Sequence, residues 1–311
     1  MGNSVPLTNG KIKARAPRSP GLPRRKRLPS GPGDSFPPEV GSRFVILSSS
    51  SAGNCALLET DEARILVDAG LSGRKTVGLL GELGLRPEDL DAVFLTHEHQ
   101  DHAAGLRGLS RYPHLRFFAN RDTARALQAK LSRRIQWQLF DTETAFLYKD
   151  LEIRPCGVPH DAHDPVAFFF TWGQDDLFSP RRSLAWVNDL GHVPQRLADR
   201  LGAVDTLVVE ANHDEDLLEN DPRRPWSLKQ RIRSRHGHLS NAAALEALQS
   251  IERPRWRRLC LGHLSRDCND PSRVEDLFAP FCASLSPAPA LSVLPPTEQP
   301  AVLLEHSHAL H

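Results

Sequence analysis

Apolar positions along this chain come in short blocks, and their spacing changes character as the chain proceeds. From Arg43 onward, Phe44-Val45-Ile46-Leu47, Cys55-Ala56-Leu57-Leu58 and Ile65-Leu66-Val67 are brief apolar runs broken by turn-forming residues, which predicts three successive strands. Ala92-Val93-Phe94-Leu95 predicts a fourth, buried strand running into Thr96 and His97. Further strands are expected at 115–118, 136–140, 145–148, 151–156, 166–171, 183–187, 205–210 and 257–261. Helical patterns cover 74–83, 121–131, 194–201, 226–234, 240–250 and 271–282. Strands dominate the first half and strand–helix alternation marks the second, so the pattern predicts a layered α/β domain rather than a bundle or barrel. No internal repeat recurs at a fixed period.

Composition changes the picture at the two ends. Residues 1–40 hold eight Lys/Arg, two acids and eight prolines, which predicts a disordered basic tail without a core of its own. The folded domain is expected over 41–284, and 285–311, with five prolines, as a flexible C-terminal tail. The tail's net charge of +6 leaves −5 on the remaining 271 residues. A mildly acidic body excludes blanket attraction to nucleic acid, so any such binding needs a local patch. The five cysteines are scattered without a CxxC pair, which argues against a disulfide framework or a thiolate zinc site and fits a reducing cytoplasm. No apolar run approaches the ~18 residues that span a bilayer, so no membrane partner is expected.

The sharpest chemical signal is Thr96-His97-Glu98-His99-Gln100-Asp101-His102, directly after a predicted buried strand. Residues two apart at a strand end point to one side, so His97 and His99 can converge on one ion. Asp101 and His102 can turn into the following helix and face a second ion about 3.5–4 Å away. Imidazole and carboxylate suit zinc, and a site with an open position suits catalysis. Four ligand-type side chains within six residues make a merely solvated polar loop the poorer reading.

His97-x-His99-x-Asp101-His102 resembles the signature of the metallo-β-lactamase superfamily, and other matches follow in order. Asp68 closes the strand 65–67, His160 lies in Val158-Pro159-His160-Asp161, Asp189 in Asn188-Asp189-Leu190-Gly191, and His263 follows Leu259–Gly262. The resemblance covers roughly residues 43–283 and implies an αββα sandwich of two packed mixed sheets flanked by helices. It implies that His97, His99 and His160 hold one divalent metal ion and that Asp101, His102 and His263 hold another. Asp189 and a hydroxide, the nucleophile, would bridge them, with Asp68 a structural acid behind the site. Zn²⁺ fits this donor set best, and Mn²⁺ also fits.

The superfamily cleaves several ester classes, so secondary motifs must choose. The Ser48–Asn54 loop, Leu-Val-Asp-Ala-Gly-Leu-Ser at 66–72, Glu210-x-Asn212-His213-Asp214 and Pro225-Trp226-x-Leu228-Lys229-x-Arg231-Ile232 resemble the bacterial YycJ/WalJ family of metallo-hydrolases, regarded as DNA exonucleases. Asn188 departs from the threonine common there. The resemblance implies a dinuclear phosphodiesterase acting on DNA, in which Asp101 orients the hydroxide. His238, steadied by Glu210, would contact the phosphate or protonate the leaving oxygen. Between His213 and His238, Arg223, Arg224, Lys229, Arg231 and Arg233 form a candidate phosphate-binding stretch with no acid after Pro222. Trp226 is expected in the core rather than as a stacking platform. A small-ester or thioester hydrolase of the same fold would not need the basic stretch. A non-catalytic nucleic-acid-binding protein on this scaffold would not need the full ligand set.

Overall fold

A computed structural model describes residues 40–174, 181–296 and 300–307. The predicted basic tail at 1–39 lies outside the described residues.

The strands divide into two seven-stranded sheets. The first contains β1 (Val40–Ser50), β2 (Gly53–Glu59), β3 (Arg64–Val67), β4 (Ala92–Phe94), β5 (Arg116–Asn120) and β6 (Trp137–Phe140). The second contains β7 (Phe146–Tyr148), β8 (Leu151–Gly157), β9 (Val166–Trp172), β10 (Arg182–Val187), β11 (Thr206–Glu210), β12 (Arg258–Gly262) and β13 (Ala290–Val293). β14 (Ala301–Ser307) crosses back to the first sheet, which therefore has the order β14-β1-β2-β3-β4-β5-β6. The second runs β13-β12-β11-β10-β9-β8-β7. Both sheets are mixed. β3, β4, β5 and β6 are parallel neighbours in one, and β10 to β13 in the other.

Period-two alternation along each strand builds three apolar layers. Phe44, Ile46, Ile65, Val67 and Phe94 point inward against Phe168, Phe170, Leu184, Trp186 and Val208 of the opposing sheet. The alternate residues Val45, Leu47, Leu66 and Val93 face outward. They are covered by α1 (Gly73–Glu82), α2 (Gln100–Ala103), α3 (Leu106–Leu109) and α4 (Arg121–Lys130). On the far side Ala185, Val187, Leu207, Val209 and Leu261 meet α5 (Gln195–Leu201), then α8 (Asn241–Gln249) and α9 (Pro271–Ser284). Between these lie α6 (Glu215–Asn220) and α7 (Trp226–Ile232). The order helix, sheet, sheet, helix is the predicted αββα sandwich.

The expectation of a flexible C-terminal tail over 285–311 is corrected for the described residues 285–296 and 300–307. β13 pairs in parallel with β12, Arg258 opposite Ala290 through Leu261 opposite Val293. β14 pairs antiparallel with β1, from Val40 opposite Ser307 to Ile46 opposite Ala301. The segment thus supplies one edge strand to each sheet. Its prolines flank those strands, where a missing N–H costs no ladder bond, instead of interrupting them.

Candidate metal centre

The predicted site residues arrive at one place because they sit at or just beyond the carboxyl ends of strands. Asp68 follows β3, Thr96 and His97 follow β4, Asp189 lies just beyond β10, Glu210 ends β11 and His263 follows β12. Parallel pairing within each sheet brings these ends level, the edge where ligands gather in α/β structures. Asp68, Asp189 and His263 all adopt left-handed backbone, with φ of 60°, 57° and 56°. Such geometry costs a side-chain-bearing residue about 1–3 kcal/mol and persists only where surrounding bonds fix it. Asp68 N–H donates to Phe94 O at 2.8 Å, Asp189 N–H to Glu210 Oε2 at 3.1 Å, and His263 N–H to Ser49 Oγ at 2.8 Å.

The 97–102 loop is pressed onto the chain after Asp68. Ala69 N–H donates to His102 O at 2.8 Å, and a Cβ on Gly70 would lie only 1.7 Å from Asp101 O. Only glycine permits that approach.

Ligand-type atoms of His97, His99 and His160 lie within 4.8 Å of one another, as do those of Asp101, His102, Asp189 and His263. Asp189 stands between the groups. Its Oδ2 is 2.6 Å from His102 Nε2 and 4.0 Å from His97 Nε2, and its Oδ1 is 3.6 Å from His263 Nε2 and 3.9 Å from His160 Nε2. His99 Nδ1 and His160 Nε2 are 3.3 Å apart. Donors bound at about 2.0–2.1 Å around a tetrahedral ion sit roughly 3.3 Å from each other, so these spacings fit divalent metals.

The opposite ring nitrogens are tied down. His102 Nδ1 meets Asp68 Oδ2 at 2.8 Å, His160 Nδ1 meets Gly237 O at 3.0 Å, and His263 Nδ1 meets Glu210 Oε2 at 2.9 Å. These contacts orient the rings and leave Nε2 facing inward. His97 Nε2 and His263 Nε2 are buried with no hydrogen-bond partner. An orphaned buried nitrogen is costly, and a cation supplies the missing partner.

Asp68, fully buried, binds Thr96 N and Oγ1, His102 and the indole N–H of Trp186 at 3.1 Å. It joins the two sheets behind the centre. Burial would raise the Asp189 carboxyl, but His263, His102 and His160 outweigh it and hold it well below the usual range.

Glu210 is fully buried and saturated. Oε1 accepts from Leu190 N–H at 3.0 Å and Leu239 N–H at 2.9 Å, and Oε2 accepts from Asp189 N–H while facing His238 Nδ1 at 3.2 Å and His263 Nδ1. Glu210, Asp189, His238 and His263 form a third group with ligand-type atoms within 4.8 Å of one another, but both Glu210 oxygens already accept main-chain N–H donors. Burial opposes its ionisation, yet His238 and His263 bring its carboxyl down to about 2. His238, with 22% of its side chain exposed, is also 3.3 Å from Asp189 Oδ1. Burial lowers and the Glu210 and Asp189 carboxylates raise its imidazolium, with a net upward shift.

The centre opens into a pocket of about 460 Å³ lined by Asp101, Asp189, His238 and His263 and also by Lys130, Arg224, Leu228, Arg231 and Ile232. The predicted basic stretch only partly serves it. Arg224 and Arg231 line the pocket, but Lys229 is buried and its ammonium donates to Glu219 O at the end of α6. Arg223 and Arg224 pair with Asp221 and Asp267, Arg231 with Asp161, and Arg233 with Glu219. Lys229 is therefore corrected to a helix-capping residue away from the pocket, and each of the four arginines carries an acid partner. Trp226 is 58% exposed, against the expectation of a core residue. Proline at 225 starts α7 there and turns the ring outward while Lys229 takes the inner face. His213 is buried, does not line the pocket, and is held down to about 4 by burial.

Thr96, Trp186, Ser49 and Asn212, whose amide donates to His263 O at 3.0 Å, support the centre and were not singled out from sequence. Thr96 beside the histidine run, Ser49 in the 48–54 loop and Asn212 in the 210–214 motif had a signal in the sequence, whereas Trp186 had none beyond its predicted strand.

With fold and centre in view, comparison with known proteins is informative. A family profile described as a beta-lactamase superfamily domain matches residues 63–264. The metallo-β-lactamase fold protein YhfI from Bacillus subtilis superposes with a TM-score of 0.59 at 16% identity, covering 85% of this chain and 100% of that one. Exodeoxyribonuclease WalJ of Streptococcus pneumoniae is 38% identical over 235 residues, 74% of this chain and 84% of the relative. Exodeoxyribonuclease YycJ of Bacillus anthracis is 34% identical over 232 residues, 74% of this chain and 85% of that protein. The chain belongs to the metallo-β-lactamase superfamily and, within it, to the WalJ/YycJ family.

Proposed function

We propose that this protein is a metal-dependent exodeoxyribonuclease. The observation that carries the reading is the convergence of seven histidine and aspartate side chains in two groups with Asp189 standing between them, in a chain whose relatives are named for that activity. His97, His99 and His160 would hold one divalent cation, and Asp101, His102 and His263 a second, with Asp189 between them. Zinc is the cation the donor set favours, with manganese the other fit. Bound there, two cations supply Lewis acidity to a phosphodiester and lower the pKa of water, so that a nucleophile is available near neutral pH.

The chain's own residues do the rest. Asp101, a quarter exposed to the pocket, orients the attacking water. Glu210 fixes His263 and His238 through their Nδ1 atoms, which leaves His238 Nε2 to hand a proton to the leaving oxygen. The five cysteines are buried and unpaired, which suits the cytoplasm we assign. No described helix is long and apolar enough to cross a membrane.

The test is hydrolysis of 5′-end-labelled duplex DNA by the metal-reconstituted chain beside His97→Ala. Stepwise release of terminal products, lost in the variant, is expected. Intact DNA despite two bound cations per chain would move the assignment to a small-ester or thioester hydrolase.

A further inference from the structure

The pocket's walls differ in charge once each cation is matched with its partners. On the α7 side, Arg224 is held by Asp221 and Asp267 and is only 19% exposed, and Arg231 is held by Asp161. Their charges are largely neutralised by the protein itself. Between them the wall is apolar, with Leu228 and Ile232 one helical turn apart. The same pocket is lined from a different element by Lys130, the last residue of α4. Its ammonium makes one contact, to the main-chain oxygen of Glu98 at 3.3 Å. No carboxylate of the described residues pairs with it. Glu98 turns its own carboxylate to His163, 2.6 Å away, so it does not quench the lysine.

We infer that Lys130 is the substrate-phosphate anchor of this pocket, binding a backbone phosphate next to the one at the metal centre. The inference rests on the nuclease reading above and refines it. Lys130 is an exposed residue, its charge has no carboxylate partner among the described residues, and its ammonium is tethered by one long hydrogen bond to the loop that bears His97 and His99. A lysine in that state presents rotatable donors to a phosphate oxygen at little cost in broken contacts. The Leu228–Ile232 wall, supplied by α7, receives the apolar face of a sugar or base. Phosphate toward α4 and base toward α7 gives the bound strand one orientation. The arginines, numerous but paired, shape the wall and contribute less to affinity than their number implies.

The experiment measures fluorescence anisotropy of a short single-stranded phosphorothioate oligonucleotide on the metal-loaded full chain, across a salt series. Lys130→Ala is expected to weaken binding about five- to tenfold and to flatten the salt dependence by about 0.7 in log–log slope, one phosphate contact on a single strand. Lys130→Arg should recover most of the affinity. Arg233→Ala removes an equal charge from α7's far end and should change Kd less than about twofold. Equal weakening by the lysine and arginine losses would mean a diffuse field and would overturn the anchor. An unchanged Kd in Lys130→Ala, with the wild type still degrading DNA, would overturn the anchor and leave the nuclease assignment standing. A wild type that neither binds nor degrades DNA would remove both.

Discussion

Two regions rich in ligand-type or charged residues border the same pocket, and they behave oppositely. The histidines of the 97–102 run converge with distant partners into a buried cluster with unsatisfied nitrogens. The basic residues of 223–233 disperse, each charge absorbed by an acid or a main-chain oxygen. Strand ends explain the first. Residues beyond parallel strands are delivered to one edge, and left-handed backbone at Asp68, Asp189 and His263 aims them inward. A turn and a short surface helix explain the second: Arg223 and Arg224 precede α7, Lys229 and Arg231 lie on it and Arg233 caps it, so their side chains leave in different directions. Density of a residue type along the chain becomes a site only where the backbone forces convergence.

The contrast can be broken most severely at Asp189. Asp189→Ala should lower turnover on the order of 10³-fold and reduce bound metal, read by metal analysis beside initial rates. Glu210→Ala should cost roughly 10–100-fold in metal affinity or activity, because it frees two imidazoles and three main-chain N–H groups at once. Undiminished metal affinity there would dismiss it as an orienting residue. Gly237→Ala attacks the seam between the regions. Its Cβ would lie 2.1 Å from Ile232 O, so α7 must shift away from the carbonyl that fixes His160, at a cost of about 1–3 kcal/mol in urea unfolding.

A gentler test unbalances α7. Hydrogen bonds from Arg223 and Arg224 hold the Asp221 carboxyl well below the usual carboxylate range. A lowered folded pKa means its stabilising contribution is complete above the unfolded value of about 3.9 and fades as pH falls through the folded value. Asp221→Asn should therefore be less stable than wild type at neutral pH, and the two should converge only in strong acid. Because it frees arginine charge beside the pocket, the variant should also bind DNA about two- to threefold more tightly at low salt. Unchanged affinity would show that the arginines face away from the bound strand.

How far this molecule could be read beforehand follows from the range of the interactions. The strands from 44 to 95 and the run of histidines were legible because their signals are contiguous. His160, Asp189 and His263 stood out only by order and resemblance, since a single histidine after a strand has no local mark. The edge strands β13 and β14 were hidden by prolines that read as tail. The neutralisation of Arg231 by Asp161 and of Arg223 by Asp267 was illegible, because the acids are remote in sequence. Lys130 had no distinguishing neighbours at all.

The pairing of β14 with β1 bears on how this chain can be re-engineered. Val40 lies opposite Ser307, whereas the other end of β1 touches the site side through Ser50 and Leu264. The first and last described residues are therefore side by side, about 30 Å of strand away from the pocket. A short linker between them would yield a circular permutant, with new ends cut in a surface turn such as the one between β2 and β3. Fusion partners joined directly at Val40 or Ser307 would hang from the end of the sheet away from the pocket.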